Sequence, residues 1–160
     1  MSFAIVFLAR LLLVLLFLPF SALDKILNFK DAVAQASEAT ATPCTAKLLI
    51  LAGFALEVAM SAAILSGFAD RLAAFTLAVY CVLTALLWKQ FWKSPDFRLK
   101  GPSTARDVFW DFLKNISLAG GFLLLAIGAN GSGIGELWTH PLGSTHPYGA
   151  SHSYEASVPE

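Results

Sequence analysis

Five polar residues stand where the surrounding chain is apolar: Arg10, Lys25, Glu57, Lys114 and Asn115. A charge inside hydrocarbon is expensive, so it is kept only where it faces a partner, a wet cavity or a substrate. Glu57 sits near the middle of the apolar run Leu48 to Gly67. Counted at about 1.5 Å per residue, Arg10 and Lys114 lie on opposite sides of that depth, each roughly 5–6 Å away along the helix axis. Both side chains are long enough to reach the carboxylate. The spacing predicts an Arg10–Glu57–Lys114 cluster in which the three charges offset one another. Such a cluster has two readings. It is either a clasp that fixes helix register, or a site for a small polar head (a quinone carbonyl or an anion) or a proton step. The residues leave both open. Lys25, with Asp24, comes at the end of the first apolar run, near Asp111 and Lys114 of the last. Snorkelling of its amine to lipid headgroups is the simpler reading there. Asp70 and Arg71 read as a helix cap and an interfacial anchor.

The elements that position these residues follow from composition and pattern. The 160-residue chain is 57% hydrophobic and only 14% charged, with a mean hydropathy of +0.67. That balance, with its long apolar runs, places it among membrane proteins. Formal charge is zero, which speaks against a nucleic-acid partner. The two cysteines, Cys44 and Cys81, are not spaced as a thiol redox motif or a zinc site and read as small packed thiols. Nothing resembles a phosphate loop, a catalytic triad or a paired-carboxylate hydrolase site.

Four runs are long enough to span a bilayer, which takes roughly 20 helical residues. The first is Phe3 to Leu23. It lacks a basic start and a small-x-small cleavage site, so it reads as a span rather than a signal peptide. Pro19 predicts a kink near its far end. In the connection that follows, Phe29, Ala32, Val33 and Ala36 recur at helical spacing with charged residues between them, predicting a short interfacial helix. The second span, Leu48 to Gly67, carries two small-residue strips, Ala55-Ala59-Ala63 and Gly53-Glu57-Ser61, and is expected to be gripped on both. Gly67 and Asp70 predict a tight turn into the third span, Leu72 to Trp92. The fourth, Asp107 to Gly128, opens on a capping box, Thr104 to Asp107. Along it Lys114, Ser117, Gly121 and Gly128 share one face, expected to meet another helix.

Residues 1–129 therefore read as one four-helix transmembrane bundle and residues 130–160 as a flexible, disordered tail, rich in turn-formers and without apolar periodicity. Its aromatics Trp138, Tyr148 and Tyr154 favour an interface, so the tail is expected to order on a partner subunit. All three histidines, His140, His146 and His152, lie there at equal intervals. The spans hold none, which excludes a bis-histidine haem or a His-ligated metal within the bilayer. Four spans put both termini on one side. The two longer connections carry most of the Lys and Arg, so they are expected in the cytoplasm and both termini outside.

Three stretches, RLLLVLLFLPFSALDKI, LEVAMSAAILSGFADRLAA and DFLKNISLAGGFLLLA, resemble the DoxX family of small bacterial four-helix membrane proteins. The similarity runs over residues 8–128, and FLKN with the following Gly pair is its most specific part. The resemblance implies Arg10, Lys25, Glu57, Arg71, Lys114 and Asn115 as shared polar positions. It also implies a subunit of a quinone-linked oxidoreductase, thiosulfate oxidation being the named case, in the bacterial inner membrane. Ala22 and Trp88 depart from the family pattern, at places where glycine and a polar residue are common. The expected function is an accessory or quinone-interacting subunit of a membrane redox complex, with quinone the implied cofactor and no metal of its own. The alternative is a structural docking subunit or assembly factor.

Overall fold

A computed structural model describes residues 3–38, 40, 42–128, 131 and 133–148. Among these residues every regular element is helical, and four helical segments are long and apolar enough to cross a membrane: Phe3–Leu27, Pro43–Ser66, Asp70–Lys93 and Thr104–Ile127. This is the expected transmembrane bundle.

The first span is not one continuous α-helix. α1 (Phe3–Val14) passes through a wide π turn (Leu16–Ser21) into α2 (Ala22–Leu27). Proline has no N–H to donate and its ring crowds the preceding turn. At Pro19 the helix accordingly breaks, and Leu18 leaves helical geometry altogether (φ −124°, ψ 111°). The break re-aims the chain beyond it, and α2 begins on a new heading. α3 (Phe29–Ser37) is the expected short helix; it packs on the next span and buries Ala36.

α4 (Pro43–Ser66) opens with proline at its first position, where a missing N–H costs nothing. The Thr42 hydroxyl accepts from the Thr45 N–H at 3.3 Å. It closes on Gly67 at φ 78°, a left-handed conformation that glycine adopts without penalty. α5 (Asp70–Trp88) follows after two further residues. α6 (Thr104–Ile127) starts one residue earlier in its cap than predicted. Ser103, not Thr104, accepts from the Arg106 N–H at 3.1 Å. The Asp96 carboxylate takes the N–H groups of Thr104 at 2.8 Å and Ala105 at 3.3 Å, a favourable place for negative charge.

Lipid is as apolar as leucine, so packing rather than exclusion from water holds such helices together. The core shows what packing requires. α5 presents Ala73, Ala74, Leu77, Ala78 and Cys81, α6 presents Ala119, Phe122 and Ala126, and Val14, Phe17 and Ile64 close the cluster. The alanines allow close approach, and Phe122 fills the space between them. Large apolar side chains such as Leu12, Leu48, Leu51 and Leu124 point outward.

Two face assignments from the sequence need correction. On α6 the inward stripe is Ala119, Phe122 and Ala126, while Lys114 and Ser117 are exposed. The α5 surface selects which face of α6 is buried, and an apolar stripe with one large filler wins over a stripe containing an amine. On α4 the Glu57–Ser61 strip is buried, but Ala55 and Ala59 are exposed. Of the alanine strip, only Ala63 packs against the core.

Beyond α6 the chain turns back. α7 (Gly133–Thr139) lies against α5 and α6. Gly133 is required there, because a Cβ would overlap the Arg71 guanidinium and meet the Ile127 carbonyl oxygen at 2.8 Å. Residues 140–148 then cross the end of the bundle where α1 begins, and the Tyr148 ring meets Phe3 with centroids 4.8 Å apart. The expected tail thus divides. Residues 133–148 are folded against the bundle through polar contacts that leave no apolar period in the sequence. Residues 149–160, with His152 and Tyr154, lie outside the described residues.

Candidate functional site

Glu57 is buried at 2% exposure in the middle of α4. An isolated carboxylate there would be untenable, and the fold supplies three donors. From the redirected first span, Lys25 Nζ reaches Glu57 Oε2 at 2.8 Å and Oε1 at 2.9 Å. One turn earlier, Ser21 Oγ donates to Oε2 at 3.0 Å and accepts from Lys25 at 2.6 Å. From α5, Tyr80 OH donates to Oε1 at 2.6 Å. Each carboxylate oxygen therefore accepts two hydrogen bonds, and the charge is matched by the ammonium. The satisfaction is what makes burial tolerable. Gly53, one turn before Glu57, leaves room for the phenol: a Cβ there would meet the Tyr80 hydroxyl at 3.2 Å.

This group stands on the wall of a cavity of about 460 Å³, framed by the π turn, α3, α4 and α5. Sites for small organic molecules occupy about 300–1,000 Å³ and pair apolar walls with a few placed polar groups. The walls follow that pattern. Phe17, Leu56, Leu83 and Leu87 are apolar, and Gln35, Thr84, Trp88 and Asn115 add polar atoms. Asn115 Nδ2 donates to the Asp111 carbonyl at 3.0 Å, and its Oδ1 lies 3.5 Å from the Thr84 hydroxyl. Trp88 also borders a second cavity of about 470 Å³, lined by Glu38, Gln90 and Lys93.

The predicted Arg10–Glu57–Lys114 cluster does not form. Arg10 is buried beside the end of α4, paired with Asp70 at 2.7 Å and donating to the Ile64 carbonyl at 2.6 Å. Equal axial spacing from Glu57 was not sufficient, because the end of α4 offers Arg10 nearer acceptors. The last carbonyls of a helix have no partner within it. Arg10 takes that of Ile64, and Tyr148 OH takes that of Leu65 at 2.6 Å. Asp70 is accordingly not the expected cap. Its carboxylate is fully buried and accepts from Arg10, from the Thr145 N–H at 2.9 Å and from the Thr145 hydroxyl. Arg71 is likewise more than an anchor, bridging Glu136 of α7 at 2.6 Å and the Ala126 carbonyl at 3.3 Å.

Lys114 faces outward with its side chain 72% exposed, 3.1 Å from Asp111 one turn back. Lys89 pairs with the same carboxylate at 3.4 Å. Lys25 shows the opposite departure. Snorkelling was the expectation, but the break at Pro19 turns its amine inward. Tyr80, Ser21 and Trp88 were not singled out for the site. The signals were there: Ser21 is four residues before Lys25, and Tyr80, Thr84 and Trp88 recur every four residues along one face of α5.

Among the described residues, no three His, Cys, Asp or Glu side chains gather as a metal site. Cys44 is exposed and Cys81 buried, both free. A family model described as DoxX matches residues 5–90. The match carries Arg10, Ser21, Lys25, Glu57, Asp70, Tyr80 and Trp88, and ends before the FLKN stretch. No curated protein and no solved structure matches the chain. With more than half of its length matched, and with four membrane-spanning helices, this chain is a multi-pass membrane protein that belongs to the DoxX family.

Proposed function

We propose that the protein is a quinone-interacting subunit of a membrane redox complex in the bacterial inner membrane, with the cavity beside Glu57 as the head-group site. The observation that carries this reading is the Lys25–Glu57–Tyr80–Ser21 set on the wall of an apolar cavity. A clasp that only fixes helix register needs the polar contacts and has no use for the space beside them. A quinone supplies two-electron redox chemistry when bound. A carbonyl oxygen at this wall would take the Lys25 ammonium or the Tyr80 phenol in exchange for one of its bonds to Glu57, since each of these donors is engaged within the set. The apolar walls suit the rest of an amphiphilic ring and tail. The basic connections Lys25–Lys47 and Lys89–Arg106 favour a cytoplasmic side for α3 and the third-to-fourth connection, with both termini in the periplasm.

The test is saturable binding of a short-chain quinone to the purified protein in lipid nanodiscs. Wild type should bind, and Ala52→Phe, which places a ring at the cavity wall, should abolish binding while the protein stays monodisperse. Absence of saturable binding by wild type, together with a stable complex of this chain and other subunits, would instead favour the docking-subunit reading.

A further inference from the structure

α7 buries one side and shows an apolar flank on the next. Gly133 and Leu137 are buried against the bundle. Ile134 and Trp138, one turn apart on a single face, are 49% and 76% exposed. Leu142, in the turn that follows the helix, is 65% exposed. Glu136 lies on the opposite flank, where its carboxylate bridges Arg71 at 2.6 Å. A segment with apolar residues on one flank and a charge on the other is shaped to lie in the plane of a membrane interface. An indole is suited to that layer, having a large apolar body and one N–H for a polar neighbour.

We propose that the Ile134–Trp138 flank of α7 is seated in the headgroup layer of the bilayer that the four spans cross, as an in-plane anchor for the chain beyond α6. Three observations choose lipid as the occupant. The first is level. Gly133 stands against the Ile127 carbonyl that ends α6. Arg71, at the start of α5, holds both the Ala126 carbonyl at 3.3 Å and Glu136. α7 is thereby fixed where α5 and α6 meet the membrane boundary. The second is the surface around it. Leu124 in the last turn of α6 and Phe68 in the turn before α5 are both exposed, so the end of the bundle on which α7 packs already faces lipid. The third is the distribution of tryptophan. Trp88, Trp92 and Trp110 all mark the opposite boundary, at the end of α5 and the start of α6. Membrane proteins place tryptophan at both interfaces. Trp138 is the fourth of the chain and stands at the end that has no other.

The experiment uses full-length protein carrying 5-fluorotryptophan in phosphatidylcholine nanodiscs. Four tryptophans give four fluorine signals, assigned by elimination with the W88F, W92F, W110F and W138F variants. Should W138F fail to fold, the other three variants leave its signal identified. One probe is a phosphatidylcholine with a nitroxide near the headgroup end of an acyl chain; the other is a gadolinium chelate confined to water. Trp110, exposed on α6 at the opposite boundary, is the internal reference. The nitroxide lipid should broaden the Trp138 signal as it broadens that of Trp110. A Trp138 signal that the nitroxide lipid leaves sharp would overturn the inference, and the chelate then says what replaces it. Broadening by the chelate would place the indole in water, free for a protein partner. Broadening by neither would mean that a second copy of the chain covers it. None of these outcomes bears on the cavity beside Glu57, which lies elsewhere on α4 and α5.

Discussion

Lys25 and Glu57 form the residue pair on which the cavity site depends. Removing the amine with Lys25→Met strands a buried carboxylate and should cost about 3–5 kcal/mol of stability. Combining it with Glu57→Gln should cost less than the two single changes added, because the stranded charge is gone. Unfolding of the four proteins by SDS titration measures the coupling; strict additivity would mean that the pair does not form. Lys114→Ala, by contrast, removes an exposed amine from a surface pair and should stay within about 0.5 kcal/mol of wild type. At this scale the sequence was legible in part. Glu57 stood out because a carboxylate in the middle of an apolar run demands a partner. Its partners were misassigned, because axial depth says nothing about which way a side chain points. Asp70 was hidden by its position at a helix start, where an aspartate normally means a cap.

At the scale of elements, the break at Pro19 and the close seams between helices decide the geometry. The kink was readable from the proline. Its consequence was not, since the new heading of α2 depends on what α3 and α4 offer to pack against. The Gly120-Gly121 pair gives a test of the seams. A Cβ on Gly121 would meet Leu13 Cδ1 at 3.0 Å, whereas one on Gly120 meets nothing within 4 Å. Gly121→Val should therefore push α1 from α6 and destabilise by about 1–3 kcal/mol. Gly120→Ala should be neutral or slightly stabilising, by helix propensity. Equal effects in the same SDS titration would show that α1 does not approach α6 as described. The burial of one face of α6 over another was not legible, because both stripes contain small residues and only the surface of α5 distinguishes them.

Across the whole molecule, two separate polar centres occupy one bundle, the Glu57 set in the middle of α4 and a second at the end of that helix. The second, built from Arg10, Asp70, Thr145 and the end of α4, ties the chain after α6 to the first three spans. Truncation after Gly131 removes Thr145, Tyr148 and Glu136 at once and should lower the stability of the bundle by about 1–3 kcal/mol. Quinone binding at the Glu57 site should survive, so a titration of the truncated protein separates the two centres; loss of binding would mean that they are coupled. The four spans, the short helix and the tight turn at Gly67 were all legible, because apolar length and turn chemistry are local properties. The return of residues 133–148 was not, since it rests on hydrogen bonds to carbonyls and a carboxylate presented only by the assembled bundle. The central claim is that the cavity beside Glu57 receives a quinone head, and covalent mapping tests it most directly. An azido-quinone photolysed with the full-length protein in nanodiscs should label peptides of α4 around Leu49–Glu57 and of α5 around Tyr80–Trp88, and excess unlabelled quinone should suppress the adducts. Adducts confined to the region of Arg10 and Asp70, or labelling that competitor does not reduce, would contradict the account.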